Sequence, residues 1–189
     1  MLLQTDRLYL REISIKETGL IHELHSLPET DEFNTLGIPD SFQTTETIVN
    51  EWLASQAETP RTSYVFYIEL IEKQQFIGLI ALNVGKSKFK TAEVWYKIHV
   101  NHWRKGYTTE ALQGLISWGF NELNLHRIEA GCAVDNIASS RVMEKVGMTQ
   151  EGRKRKNLPL KGTWSDSFLY AILDEDFYRS QLNTNQQHA

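Results

Sequence analysis

One short segment holds most of the side chains that could bind an anion. It runs from a strand-like stretch through Asn101 and Lys105 to Gly106, and helical spacing begins directly after this glycine. The N–H groups of a first helical turn lack intrahelical partners and lie at the positive end of the helix dipole, so they bind phosphate. Further charges and donors in the segment are Arg104, Lys105, Thr108 and Thr109. The pattern predicts a pyrophosphate site, although one glycine before a helix is also common in ordinary turns.

The other clusters of chemically active residue types favour structural roles. The six histidines are too dispersed along the chain for a metal site. Residues 153–156 read Arg-Lys-Arg-Lys and predict a solvated strand edge, with a guide for an acidic substrate or for ribosomal RNA as the alternative. A net charge of −4 argues against a protein whose main partner is a nucleic-acid backbone.

Alternating strands and helices are expected to position the phosphate-binding segment. Strands are predicted at residues 8–13, 64–71, 76–84, 92–100, 127–134, 148–155 and 167–173. Helices are predicted at residues 15–27, 45–57 and 107–122, and a fourth helix is capped by Asp135 or Asn136 and ended by Gly147. Residues 31–43 show no periodicity and predict a loop. This order predicts one α/β (α+β) domain, with a mixed central sheet of about seven strands flanked by about four helices.

Residues 92–100 show the strictest alternation in the chain. One face of the predicted strand carries Ala92, Val94, Tyr96, Ile98 and Val100. The opposite face carries Glu93, Trp95, Lys97 and His99. Because successive side chains of a strand point to opposite faces, the three titratable groups of the second set are predicted to lie on one side of the sheet.

Length and composition suit a single folded domain. The chain has 189 residues, of which 41% are hydrophobic, and we expect a domain at residues 1–182 followed by a frayed polar tail at 183–189. No stretch approaches the roughly 20 apolar residues of a membrane span, and the N-terminus lacks the pattern of a secretory leader. The lone cysteine, Cys132, excludes an internal disulfide and fits a reducing compartment. We expect a cytoplasmic protein without a membrane partner.

Three stretches together resemble a known family. They are Glu93–Ile98, Trp103–Ala111 and Asn136–Met148, and they are similar to the GNAT superfamily of acetyl-CoA-dependent N-acetyltransferases. Two further stretches, Thr5–Arg11 and Gly162–Asp166, suit its Rim-type branch, which is named for ribosomal-protein N-terminal acetylation. The resemblance covers residues 5–178 and implies a single GNAT-like domain.

The resemblance implies acetyl-CoA as the cosubstrate and no metal. The six positions of the family's phosphate loop are Trp103, Arg104, Lys105, Gly106, Tyr107 and Thr108, with Thr109 next in the helix. Only Gly106 matches strictly, since Arg104 stands where a second glycine is common and Thr108 where alanine or glycine is usual. The strand end that pairs with the pantetheine arm matches Ile98, His99 and Val100. Asn136 and Ser139 match positions that hold or face the same arm from the next strand's end.

The chemistry implied by the resemblance is direct attack of a neutral amine on the thioester. Backbone N–H groups near His99 and Val100 are expected to stabilise the oxyanion. A tyrosine that protonates the thiolate in many relatives is replaced by Met143, so Ser139 takes this role or merely caps its helix. Two residues are candidates for the general base. Glu93 either accepts the proton or is a carboxylate that is merely paired or solvated. His99 either accepts the proton or only packs beside the cofactor.

The sequence predicts transfer of an acetyl group to a primary amine. A protein N-terminus, a polyamine, an antibiotic and an amino acid all remain open as acceptors, as does a homodimer. The acceptor side is expected to involve residues 31–43 and 160–165. Two rival functions are a catalytically degenerate acyl-CoA sensor, suggested by the missing tyrosine and the missing late glutamate, and a nucleic-acid module built on residues 153–156.

Overall fold

The strands of the protein form one sheet that places the phosphate-binding segment at its middle. The computed structural model describes the backbone of residues 1–186 and the side chains of residues 1–182. Within these residues there are eight strands, β1 Leu2–Gln4, β2 Leu8–Glu12, β3 Ser63–Leu70, β4 Gln75–Val84, β5 Thr91–Ile98, β6 Arg127–Ala133, β7 Thr149–Leu160 and β8 Thr163–Leu173. The same residues form six α-helices, α1 Thr18–Ser26, α2 Pro28–Asp31, α3 Phe42–Ser55, α4 Tyr107–Asn121, α5 Ile137–Lys145 and α6 Asp174–Gln186.

The order of strands in the sheet is β1-β2-β3-β4-β5-β6-β8-β7. Neighbouring strands are antiparallel except β5 and β6, which are parallel and pair only between Thr91–Glu93 and Arg127–Glu129. Beyond Glu93, β5 continues beside β4 while β6 continues beside β8. The two central strands therefore separate, and a gap opens between them in the middle of the sheet.

Helices cover both faces of the sheet because its strands are apolar on both sides. On one face, side chains of α4 and α5, among them Leu112, Leu115 and Met143, pack with Ile80, Leu82 and Val94. On the other face, α1 and α3 supply Ile21, Leu24 and Val49, which pack with Leu79 and Ala81. Consecutive residues of β4 thus enter different cores, as the period of a strand requires. None of the helices in residues 1–186 is long and apolar enough to cross a membrane.

The predicted fold class is confirmed, but several elements were missed. The sheet has eight strands rather than seven because β1 has only three residues, too few for a pattern to show. The short helix α2 starts at Pro28, directly after the predicted helix at residues 15–27, and it ends at Asp31, where the predicted loop begins. Helix α6 was missed because it is mostly polar; three acidic residues stabilise its first turn, and Phe177 packs against Phe120 with the ring centroids 5.3 Å apart.

The C-terminal tail was predicted to fray from Asn183. The backbone of α6 continues to Gln186, and the remainder of that prediction concerns residues outside the described part of the chain.

Candidate active site

Gly106 sits at the junction of the loop and α4 with a backbone conformation that suits glycine. Its φ of +79° is left-handed, and it occupies the N-cap position without any side chain that could accept the first N–H groups of the helix. Arg104 also has a positive φ, +60°, at the position where the family often has a second glycine. The first turn of α4 therefore presents N–H groups that are free of a side-chain cap, as a phosphate requires.

The start of the chain holds this loop in place. Arg7 forms an ion pair with Glu110 of α4, with 2.6 Å between Nε and Oε2, and its Nη1 donates to the carbonyl of Lys105 at 3.2 Å. The Arg7 guanidinium lies 4.7 Å from the ring centroid of Tyr107. Thr5 and the backbone N–H of Arg7 donate to the other oxygen of Glu110 at 2.6 and 2.7 Å. The stretch around Thr5 and Arg7, noticed in the sequence only as a resemblance, thus positions the phosphate loop.

The electrostatics of Glu110 agree with this arrangement. Partial burial alone would raise the pKa of this carboxyl, but the hydrogen bonds from Thr5 and Arg7 outweigh it and hold the pKa below its usual value. Beside the ion pair, a surface cavity of about 360 Å³ is lined by Arg7, Gly106, Thr109 and Lys145, among others. The structure therefore adds two cations, Arg7 and Lys145, to the predicted phosphate site, and the same cavity is also lined by the carboxylates of Asp6 and Glu110.

Replacing Arg7 by glutamine is expected to weaken acetyl-CoA binding about 5-fold, because a half-exposed ion pair and its hydrogen bond to the loop contribute only about 1 kcal/mol. The kcat at saturating acetyl-CoA should stay close to that of the wild type. Calorimetric titration measures the affinity. Arg11→Gln is the matched control, since Arg11 pairs with Glu69 away from the loop. Equal affinities of both variants and the wild type would contradict the role of Arg7.

The remaining residues of the loop have more local roles. Lys105 donates from Nζ to the carbonyl of Asn101 at 2.8 Å, which ties the loop to its own beginning. The indole of Trp103 donates to the carbonyl of Ile98 at 2.7 Å and so links the loop to the end of β5. The loop is therefore held by β5 on one side and by Arg7 on the other.

The backbone of β5 is divided between β4 and the gap. The N–H of His99 donates to the carbonyl of Ile77 at 2.8 Å and thus belongs to the ladder with β4. Since backbone groups alternate along a strand, those of Tyr96 and Ile98 face the opposite edge, where β6 has diverged. The N–H of His99 is therefore occupied by the ladder with β4, whereas the N–H of Ile98 faces the gap.

Two hydroxyl groups meet across the gap. The Tyr96 hydroxyl lies 2.9 Å from Ser139 Oγ, so β5 and α5 are linked beside the diverging strands. Burial raises the pKa of Tyr96 to about 12, although the hydrogen bond with Ser139 opposes the rise. Tyr96 therefore stays protonated at neutral pH and retains its proton for donation. Sequence reasoning missed it because its apolar neighbours placed it in the core.

Asn136, not Ser139, caps helix α5. The side-chain oxygen of Asn136 accepts the N–H of Ser139 at 3.1 Å, which leaves the Ser139 hydroxyl to Tyr96. Met143, at the position where relatives have a tyrosine, is 1% exposed and lies in the core. The pair formed by Tyr96 and Ser139 is the hydroxyl source that the structure offers instead.

The other face of β5 carries the remaining predicted residues. Glu93 is exposed and is in register with Asn83 and Glu129, at the last pair before the strands diverge. His99 accepts the N–H of Asn101 on Nδ1 at 3.2 Å and so caps the turn that follows the strand. Lys97, between them, is 8% exposed, and burial lowers its pKa to about 8 despite the attraction of Asp31. The structure places Glu93, Lys97 and His99 on the face that α1 and α3 cover, opposite Ser139.

The basic run lies away from this site. β7 is the edge strand of the sheet, as predicted, and most of its residues are exposed. Arg153 pairs with Asp166 at 2.7 Å, and the N–H of Lys156 donates to the same carboxylate. Across the described residues, no group of three or more His, Cys, Asp or Glu side chains is placed to hold a metal ion.

The central parallel strands of the sheet thus part beside a helix whose N-cap is a glycine. Residues 7–149 match the acetyltransferase (GNAT) domain family, and the chain belongs to this family. It is 34% identical to the uncharacterized N-acetyltransferase YnaD of Bacillus subtilis over 94% of this chain and 99% of that protein. It is 31% identical to the ribosomal-protein-serine acetyltransferase of Escherichia coli over 59% of this chain and 63% of that protein, which agrees with the Rim-type branch. A structure of RimL, a ribosomal L7/L12 α-N-protein acetyltransferase, in complex with coenzyme A shares the fold, with a TM-score of 0.83 and 19% identity. The match covers 92% of this chain and 98% of that chain.

Proposed function

We propose that the protein transfers the acetyl group of acetyl-CoA to a primary amine by direct attack in a ternary complex. The observation that carries this proposal is the gap between β5 and β6, which has the start of α4, free of a side-chain cap, at one end and the Tyr96–Ser139 pair along its side. The lone, buried Cys132 fits a reducing environment, and we place the reaction in the cytoplasm.

The residues around the gap fit the parts of acetyl-CoA. The N–H groups after Gly106, with Arg7 and Lys145, would hold the pyrophosphate. The N–H and carbonyl of Tyr96, at the free edge of β5, would pair with the amide groups of the pantetheine arm as an added strand does. The thioester would then lie beside the two hydroxyls, because they line the same gap.

The reaction needs an oxyanion donor, a proton for the thiolate and an acceptor for the proton of the amine. The N–H of Ile98 faces the gap and supplies the first. The Ser139 hydroxyl, with the Tyr96 hydroxyl behind it, supplies the second. Glu93 and His99 lie on the face from which an amine can reach the gap. Either residue can accept the proton of the amine through a water molecule.

The decisive experiment measures release of free CoA from acetyl-CoA with a panel of amines, together with the mass of the acetylated product. We expect CoA release that depends on the amine and a product heavier by one acetyl group. Tight acetyl-CoA binding with no turnover on any amine would favour the rival function, an acyl-CoA sensor. Salt-dependent RNA binding without affinity for acetyl-CoA would favour a nucleic-acid module.

Replacing Glu93 by glutamine tests the general base. The shape of the side chain is kept and the proton acceptor is lost, so kcat/KM should fall about 10- to 100-fold near neutral pH. The loss should shrink at higher pH, where the acceptor amine becomes neutral without help. The readout is a pH profile of kcat/KM, with Glu129→Gln as the control on the neighbouring strand. An equal loss at every pH would indicate a structural role, and full activity would leave His99 or water as the proton acceptor.

A further inference from the structure

On the face of the sheet under α1 and α2, three polar groups lie buried without hydrogen-bond partners among the described residues. They are Lys97 Nζ of β5, His25 Nδ1 of α1 and Asp31 Oδ1 of α2. The residues Lys97 and His25 are only 8% and 1% exposed. Buried polar groups are normally hydrogen-bonded, so several orphaned groups in one region call for a ligand or water to complete them.

These groups act on one another without touching. The negative charge of Asp31 attracts Lys97, and the positive charge of Lys97 acts in turn on His25. Nevertheless, Lys97 forms neither a hydrogen bond nor an ion pair with Asp31 in the described structure. An isolated buried cation is costly, and an opposite charge held near it but out of contact leaves that cost only partly compensated. A small polar molecule between them would give both groups a partner.

Two tryptophan rings lie on the His25 side of this cluster. The ring centroids of His25 and Trp52 are 6.1 Å apart, and those of Trp52 and Trp95 are 5.6 Å apart. Trp95 is two residues from Lys97 on the same face of β5. A few polar groups within an apolar, aromatic wall are typical of a small-molecule site. Lys97 directly follows Tyr96 in β5, so the two side chains lie on opposite faces of the strand that borders the gap.

The charges select the chemistry of the ligand. An ammonium ion recognises an anionic oxygen, and a carboxylate oxygen recognises an N–H donor. A polyamine offers only cations, and Lys97 would repel it. A molecule with an amine and a carboxylate a few bonds apart satisfies both groups at once.

We propose that Lys97, Asp31 and His25 line the acceptor site, and that the acceptor is a small amine with a nearby carboxylate, of the α-amino acid class. Lys97 binds the carboxylate, Asp31 accepts an N–H of the amine, and His25 offers a further polar contact. This assignment rests on the proposed acetyl transfer, which makes an acceptor site of the region around these three groups. In the transfer itself the new C–N bond forms as the C–S bond of the thioester breaks. The amine gives its proton to Glu93 or His99 through a water molecule, and the departing thiolate takes a proton from Ser139.

The test compares α-amino acids with the corresponding amino acid amides, as acceptors and as ligands of the CoA-bound protein. We expect the wild type to favour the acids over the amides, and Lys97→Met to reduce this preference about 10- to 100-fold in kcat/KM. The acid-over-amide preference in kcat/KM is compared between the wild type and the variant, because this comparison removes the intrinsic difference in reactivity of the two amines. Lys154→Met, which removes an exposed lysine of β7, is the matched control. Asp31→Asn should weaken both acids and amides, with Glu29→Gln as its control.

Binding is measured separately from turnover, by calorimetry of the CoA-bound protein with the same acids and amides. Binding of the acids that is lost in Lys97→Met, without turnover of any amine, would contradict the acetyl transfer and support the site. Turnover of amines with the same preference in wild type and Lys97→Met would overturn the site and leave the transfer standing. Faster turnover of polyamines or of peptide N-termini than of any amino acid would likewise overturn it.

Discussion

Gly106→Val is expected to reduce the affinity for acetyl-CoA on the order of 100-fold, because a side chain at this position would stand where the pyrophosphate meets the first turn of α4. The φ of Gly106 is +79°, a region that β-branched residues rarely adopt, so the variant should also lose about 1–2 kcal/mol of stability. Its added Cβ would come within 3.4 Å of Arg7 Nη2, close to the ion pair that holds the loop. Calorimetry with acetyl-CoA measures the main effect.

Gly162→Val is the control that separates the loss of stability from the loss of acetyl-CoA affinity expected for Gly106→Val. Gly162 lies in the turn between β7 and β8 with a φ of +76°, and a Cβ added there meets nothing within 4 Å. It should show a similar loss of stability but an unchanged affinity for acetyl-CoA. If Gly106→Val stays folded and binds acetyl-CoA as the wild type does, the phosphate site lies elsewhere.

Ser139→Ala is expected to lower kcat about 10- to 1,000-fold with little change in the affinity for acetyl-CoA, because it removes the hydroxyl that would protonate the departing thiolate. Tyr96→Phe should have a smaller effect of the same kind, since Tyr96 acts through its contact with Ser139. The double variant should be no worse than Ser139→Ala alone, because groups that act as a unit are not additive.

Ser140→Ala is the control for this pair. Ser140 is the next residue of α5, but its hydroxyl lies 3.3 Å from the sulfur of Cys132 rather than in contact with Tyr96. We expect a kcat close to that of the wild type. A Ser139→Ala variant with normal kcat and weakened acetyl-CoA binding would instead make Ser139 a contact of the pantetheine arm. Steady-state kinetics at saturating amine, combined with calorimetry, distinguish these results.

The sequence by itself determined the elements whose residues show a period. The alternation of residues 92–100 predicted β5 and the common face of Glu93, Lys97 and His99, and the glycine before a helical stretch predicted the loop at Gly106. Both are local properties, since the period of a strand and the need for a positive φ are set by neighbouring residues. Elements without a period, such as the three-residue β1 and the polar α6, left no such signal.

Only the tertiary structure decided which side chains meet. Tyr96 and Ser139 are 43 residues apart, and Arg7 and Glu110 are 103 residues apart, yet each pair is in hydrogen-bond contact. The tertiary structure likewise buries the unpartnered groups of Lys97, His25 and Asp31, which come from a strand and two helices. The parting of β5 and β6 likewise depends on β8, which pairs with β6 along its whole length. Contacts of this kind depend on how the elements pack, and a pattern of neighbouring residues carries no record of that packing.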